Sequence, residues 1–453
     1  MMKFPFHTTV VVFFLIVYIG ANTSTAQQSF PATISYENAL QRAQLEDKLL
    51  FLVVHQGDSL LSRFPTSFST NVRQSLADRF VSGVIPLAPD SIYHPLHQML
   101  HLRGSIYLFT DPDGVPLLRY NRPIDNEDTL MKLIDSVRVI AEGETMGKLL
   151  HQYHKGVRNR TLLTALLKQY QALDLYTDQQ VLNDYLSMLT VQELNNFETV
   201  VFLLGCGPSY NSNAYRLART NDKMVDSLYA ALPLPERKRI NGRIIEQTFR
   251  ESLDKRVYNH GVGRFAAGTW RPHYLRVGMG QSYYSMEYKR LLKDTTAYIN
   301  AARNYYNAFY YRVSPDSLAK LDFAYQQGDD IPDRGNVLDS AGTIAFLKWL
   351  PKRRKRYESE QARGLNVAGR QFLFFGIGNL SALFDAIRWQ QKAVTLRPDN
   401  PWYRHTLAML LYQVGFYAQA EAEQKLAMTY LEKDPIRHQY MHDILAQLQA
   451  RTL

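Results

Sequence analysis

Three histidines, His94, His97 and His101, recur at i, i+3 and i+7, a spacing that would bring three imidazoles to one helix face. With a fourth ligand such a face could hold zinc or copper. No carboxylate follows Asp90 within that stretch and Pro95 would delay the helix start, so the expectation is a polar, solvent-facing side and no metal is assigned. The run His55-Gln56-Gly57-Asp58-Ser59 gathers an imidazole, a carboxylate and a hydroxyl. Hydrolysis would require the histidine to bond the serine while a separate carboxylate orients the histidine. Neighbours on one short loop do not supply that geometry, and a polar loop able to touch peptide is expected instead. No catalytic residue is assigned.

Other motifs carry less. Gly263 to Trp270, GRFAAGTW, has the G-x-x-x-x-G spacing of a phosphate loop, but Thr269 stands in the lysine position and no buried strand precedes it. Ser317-Leu318-Ala319-Lys320 fits S-x-x-K without its companion motifs and reads as a helix start after Ser314-Pro315. His260 to Tyr284 holds five glycines, Trp270, His273 and three tyrosines. Rigid aromatics on a flexible backbone could bind a ligand, though a connector packed over helices is favoured. Cys206, in VVFLLGCGPS, is the single cysteine, so an intramolecular disulfide is excluded. It reads as a small residue at a helix end.

These residues must be positioned by a chain of 453 residues, longer than one core usually organises. Residues 1–26 read as a cleaved signal peptide. Lys3 gives a positive start, Val10 to Ile19 an apolar run, and Ser24-Thr25-Ala26 a small-residue cleavage site. The apolar run is shorter than the roughly 20 residues a spanning helix needs. The mature chain is therefore expected to be exported, periplasmic or secreted, with no transmembrane segment and no cofactor.

Residues 32–142 read as an α/β domain. Ser35 to Lys48 is an amphipathic helix capped by Ser35, and Leu49 to Val54 is an apolar strand without alternation, as in a strand covered on both faces. A helix at TNVRQSLADRF, a strand at Phe80 to Leu87, and a helix over SIYHPLHQMLHLRG follow. Ser105 to Thr110 and Val115 to Tyr120 form a hairpin around Asp111-Pro112-Asp113-Gly114, and a closing helix starts near Asp125 or Asp128. From 145 to 453 helical patterns dominate. Tyr298, Ala302, Tyr305 and Phe309 share one face, a stripe that reads as packing between helices.

The element order over Ile34 to Arg138, the Lys48 strand entry, Arg103-Gly104 and the DPDG hairpin resemble the thioredoxin family, and more narrowly the exported thioredoxin-like proteins of Bacteroidetes. That resemblance implies an α/β fold with a Cys-x-x-Cys pair near Gln56 to Leu61 and a cis-proline near Ser105 or Ile106. Neither is present. Thiol–disulfide exchange needs an activated thiolate and a resolving cysteine, so this activity is not expected.

A second resemblance lies near the end. Ala386 and Ala420 are 34 residues apart, as are Ala393 and Ala427. Leu407, Ala408, Leu411, Gly415, Tyr417, Ala420 and Ala427 fit the tetratricopeptide pattern, best seen at 365–433. Small residues let antiparallel helices approach closely, and earlier helical pairs are expected to continue the stack in degenerate form. The two resemblances together imply a non-catalytic protein-interaction protein whose helical array binds a protein or peptide. Two alternatives stay open: an enzyme using the α/β scaffold or segment 260–284 for non-redox chemistry, and a basic glycan-binding protein. The net charge of +10 and the run Lys352 to Arg356 favour acidic or anionic partners; a nucleic-acid partner is not expected in an exported chain.

Overall fold

In a computed structural model, the structure describes residues 32–56, 68–88, 91–102, 104–263, 278–327, 356–431 and 435–453. The leader at 1–26, Gly57, Asp58 and Ser59 of the polar loop, the greater part of the glycine/aromatic segment and Lys352 to Lys355 lie outside these residues. The fold is mixed α/β with a small four-stranded sheet, followed by a long all-α region. No helix among the described residues is long and apolar enough to cross a membrane.

Two compact units divide the chain. Of the described residues, the first takes 32–87, 105–115 and 119–138. It runs α1 (Tyr36–Glu46), β1 (Leu49–His55), α2 (Thr70–Arg79) and β2 (Phe80–Pro86). The chain then passes through α3 (Pro95–Met99) to β3 (Ile106–Thr110), β4 (Pro116–Tyr120) and α4 (Glu127–Glu142). The sheet order is β2-β1-β3-β4, with β1 parallel to β2 and antiparallel to β3. Leu50 to Val54 of β1 are fully buried, which explains why their pattern lacks alternation. Phe109 on β3 stacks on Phe51 at 4.8 Å and meets Phe80 edge-on at 5.8 Å. Ser35 Oγ accepts the Asn38 N–H at 3.1 Å and caps α1. Asp111 Oδ1 accepts from the Asp113 and Val115 amides at 3.1 and 2.8 Å, while Gly114 takes a φ of 81° that closes the hairpin.

The second unit takes 88–104, 116–118 and the described residues from 139 onward. Segment 88–104, grouped with the α/β part in the sequence reading, therefore packs with helices. Leu100 bridges Leu175, the Tyr176 amide donates to the Met99 carbonyl at 3.1 Å, and the His101 amide donates to the Asp174 carbonyl at 3.3 Å. The helices of this unit are α5 (Met146–His154), α6 (Arg160–Ala172), α7 (Gln179–Leu186), α8 (Val191–Leu194), α9 (Phe197–Gly205), α10 (Asn213–Ala218), α11 (Asp222–Ala231) and α12 (Leu234–Asp254). They continue as α13 (Met279–Leu291), α14 (Thr295–Tyr306), α15 (Pro315–Gln327), α16 (Arg356–Phe375), α17 (Leu380–Leu396), α18 (Pro401–Gln413), α19 (Tyr417–Thr429) and α20 (Pro435–Ala450).

Two large apolar cores organise its described residues, beside smaller clusters at Val313, Leu318, Leu321 and Tyr357 and at Ile245 and Val262. One joins α5 to α12 through residues such as Leu163, Leu167, Val200 and Ile244. The other joins α13 to α20 through Tyr298, Ala302, Phe372, Trp389 and Leu410. In this second core consecutive helices pair: α13 with α14, α16 with α17, α18 with α19. Pairs also meet each other, α14 against α16 and α17, and α16 against α18, with α20 closing on α19. Gly369 allows the approach of α16 to α18, since a Cβ there would sit 3.2 Å from Thr406 Cγ2 and closer still to Gln390.

Candidate functional site

The polar loop contributes only its first two residues to the description. His55 ends β1, and the Gln56 N–H donates to Ser105 Oγ at 2.9 Å, with His55 Nδ1 3.4 Å from the same oxygen. Ser105 thus immediately precedes β3 and is buried beside the end of β1. The sequence reading of SIYHPLHQMLHLRG as one helix is corrected here: α3 spans only Pro95–Met99. His94 is its N-cap, its Nδ1 accepting the Leu96 N–H at 3.2 Å, while His97 Nε2 lies 3.2 Å from the Ala88 carbonyl. His101 lies beyond the helix, 1 % exposed, with Nδ1 2.6 Å from Glu246 Oε2. The i, i+3, i+7 face does not form, because His94 stands before the helix as its N-cap, with Pro95 at the first helical position, and the helix ends at Met99, before His101. Among the described residues no group of three or more His, Cys, Asp or Glu side chains could hold a metal ion.

Cys206 caps the end of α9 and is buried; Gln171 Nε2 donates to its Sγ at 3.0 Å. Burial pushes its thiol up to about 12, so it is neither a thiolate nor accessible.

Sequence reasoning missed a polar cluster on α12. Arg243 is 1 % exposed and donates to Asp174 Oδ1 at 3.0 Å and to the Leu175 carbonyl at 2.9 Å. Glu246, one turn on, holds His101. Burial lowers the affinity of His101 for a proton against the opposing pull of Glu246. An arginine between Ile240 and Ile244 in an amphipathic helix was the one visible signal. The cluster ties 99–101 and 174–176 to α12.

The repeat residues fall where helices meet. Ala386, Ala393, Ala408, Ala420 and Ala427 are wholly buried, Leu407 and Leu411 nearly so, Tyr417 is half-buried, and Gly415 turns the chain with a φ of 83°. Positions not involved in packing make a different pattern. On α16, Arg363, Val367, Arg370 and Phe374 are exposed at i, i+4, i+7 and i+11. On α18, Trp402 is exposed, His405 and Met409 half-buried, and Gln413 exposed, again one stripe. Trp402 and His405 converge on Tyr440 of α20: ring centroids lie 6.2 Å apart for Trp402–Tyr440, 6.0 Å for His405–Tyr440 and 6.1 Å for Trp402–His405. His405 Nδ1 donates to Gln424 Oε1 at 3.0 Å, and Gln424, fully buried, donates to the Met441 carbonyl at 2.9 Å. His405 is thereby fixed from beneath. A separate groove of about 640 Å³ lies by Phe384, Arg388, Leu411 and Phe416.

Burial holds the His405 imidazole below its ordinary pKa; the nearby charge of Arg370 acts the same way and the Gln424 bond opposes both. The unfolded chain then takes up a proton at His405 before the folded chain does, so stability should fall as pH drops below about 6.5, toward the lower folded-state value. Urea midpoints between about pH 7 and pH 5 should decline less steeply in His405→Gln. An unchanged slope in that variant would remove His405 from the account.

No family model, curated protein or solved structure matches this chain.

Proposed function

We propose that this chain is an exported, non-catalytic interaction protein, in which a thioredoxin-like domain without thiol chemistry accompanies a tetratricopeptide-like array that binds an extended segment of another protein. The strand order β2-β1-β3-β4 with β3 antiparallel to β1 supports a thioredoxin-like reading of the first unit. Cys206 is the single thiol and is buried, which supports the loss of redox function. Paired helices of similar length, meeting through alanines 34 residues apart, support the repeat reading.

The observation that carries the functional reading is the aromatic group Trp402, His405 and Tyr440 on the outer side of packed helices. Trp402 and Tyr440 are 38 % and 47 % exposed although both belong to residue types that cores and interfaces normally cover. Aromatic rings packed on one another, with His405 held by buried Gln424, offer contact area at little entropic cost. Selection of a displayed random-peptide library on the full chain should recover peptides that bind Trp402→Ala and Tyr440→Ala at least about tenfold more weakly. Recovery of no peptide, or of peptides indifferent to both substitutions, would refute the reading.

A further inference from the structure

Resting on the peptide-binding reading above, we propose that the ligand is an acidic segment in the extended polyproline II conformation, with two carboxylates about three residues apart, one on Arg363 and one on Arg370, and an aromatic residue against Trp402 and Tyr440. Charge complementarity carries the assignment. The carboxylates of Glu360, Asp399, Glu421 and Glu423 face Arg356, Arg397, Lys425 and Arg404. Among the described residues Arg363 and Arg370 have no such partner, and both are exposed on one stripe of α16. The helix that carries them packs against α18 where Gly369 meets Thr406, which sets Arg370 and His405, their chain neighbours, on adjoining turns. A guanidinium with its fork of donors uncommitted takes a carboxylate bidentately.

The spacing sets the ligand. Seven residues of helix advance about 10 Å, and a polyproline II chain advances about 3.1 Å per residue with three residues per turn, which places matching carboxylates about three residues apart on one face. Val367, 41 % exposed between the two arginines, adds apolar surface to the same stripe. The exposed arginine of the separate groove, Arg388, already faces Asp385 and is not part of this surface.

The test uses fluorescein-labelled synthetic peptides and the full chain in a polarisation assay. A peptide with two glutamates three residues apart and a phenylalanine beside them should bind. Replacing both glutamates by glutamine, or separating them by six residues, should weaken binding about tenfold or more. Arg363→Glu and Arg370→Glu should each lose about tenfold with unchanged melting, while Arg388→Glu keeps full affinity. Equal binding of the glutamine peptide, or full affinity in the Arg363 and Arg370 variants, would overturn the acidic ligand while leaving peptide binding intact. A sulfated oligosaccharide that displaces the peptide at lower concentration would assign these arginines to a glycan and overturn the proposal. Failure of every peptide, including those selected by display, would overturn both readings.

Discussion

Replacing Trp389 by alanine is expected to lower stability by about 3–5 kcal/mol, the range for emptying a fully packed aromatic site. Trp389 lies on α17, 1 % exposed, at the centre of the core that joins α13 to α20. Its ring meets Phe372 edge-on at 5.0 Å and Tyr306 at 5.5 Å, and its Nε1–H donates to Asn307 Oδ1 at 2.8 Å. Alanine removes the apolar contacts and leaves Asn307 without that donor, so cavity and hydrogen-bond losses add. Trp389→Phe should keep most of the packing and lose about half as much. The check is a urea titration with the slope compared between variants. A loss below about 1 kcal/mol for the alanine variant would mean that the helical pairs do not share one core.

Arg243→Met should cost about 3 kcal/mol, the lower end for breaking a buried ion pair. The buried guanidinium, fully desolvated, is already driven below its ordinary proton affinity by burial, with Asp174 opposing. Methionine fills similar volume yet leaves the Leu175 carbonyl without its donor. Asp174 is 37 % exposed and can rehydrate, which limits the penalty. Asp174→Asn leaves the buried guanidinium without its counter-charge while keeping Oδ1 as an acceptor, so it should cost a comparable amount, and the double variant should cost less than the sum of the singles. Additive effects would show that the two side chains do not act as a pair.

Much of the fold was legible because period and burial coincide. The apolar run at β1, the DPDG turn and the Ser35 cap each follow from local chemistry, and the structure has them where the residues put them. The stripe Tyr298, Ala302, Tyr305 is buried, but Phe309 only partly, because Asn307–Tyr311 is a π turn that rotates later residues off the face. Carbonyls there are met by Lys392, which donates to Tyr311 and, at 2.7 Å, to Val313, a tertiary rescue that no local pattern announces. His101 was grouped with His94 and His97 by spacing alone; its real partner, Glu246, lies 145 residues away. The repeat pattern pointed to alanines that pack. It was silent on Trp402, Arg363 and Arg370, since exposed positions carry no periodic signature and acquire meaning only when α16, α18 and α20 lie side by side.

Hydrogen exchange of the full chain, with and without a display-selected peptide, tests the central claim most directly. The account predicts added protection concentrated in α16, α18 and α20, Arg356 to Phe375, Pro401 to Gln413 and Pro435 to Ala450, and little change in residues 32–87. Protection confined to the α/β unit, with α16 and α18 unaltered, would contradict it.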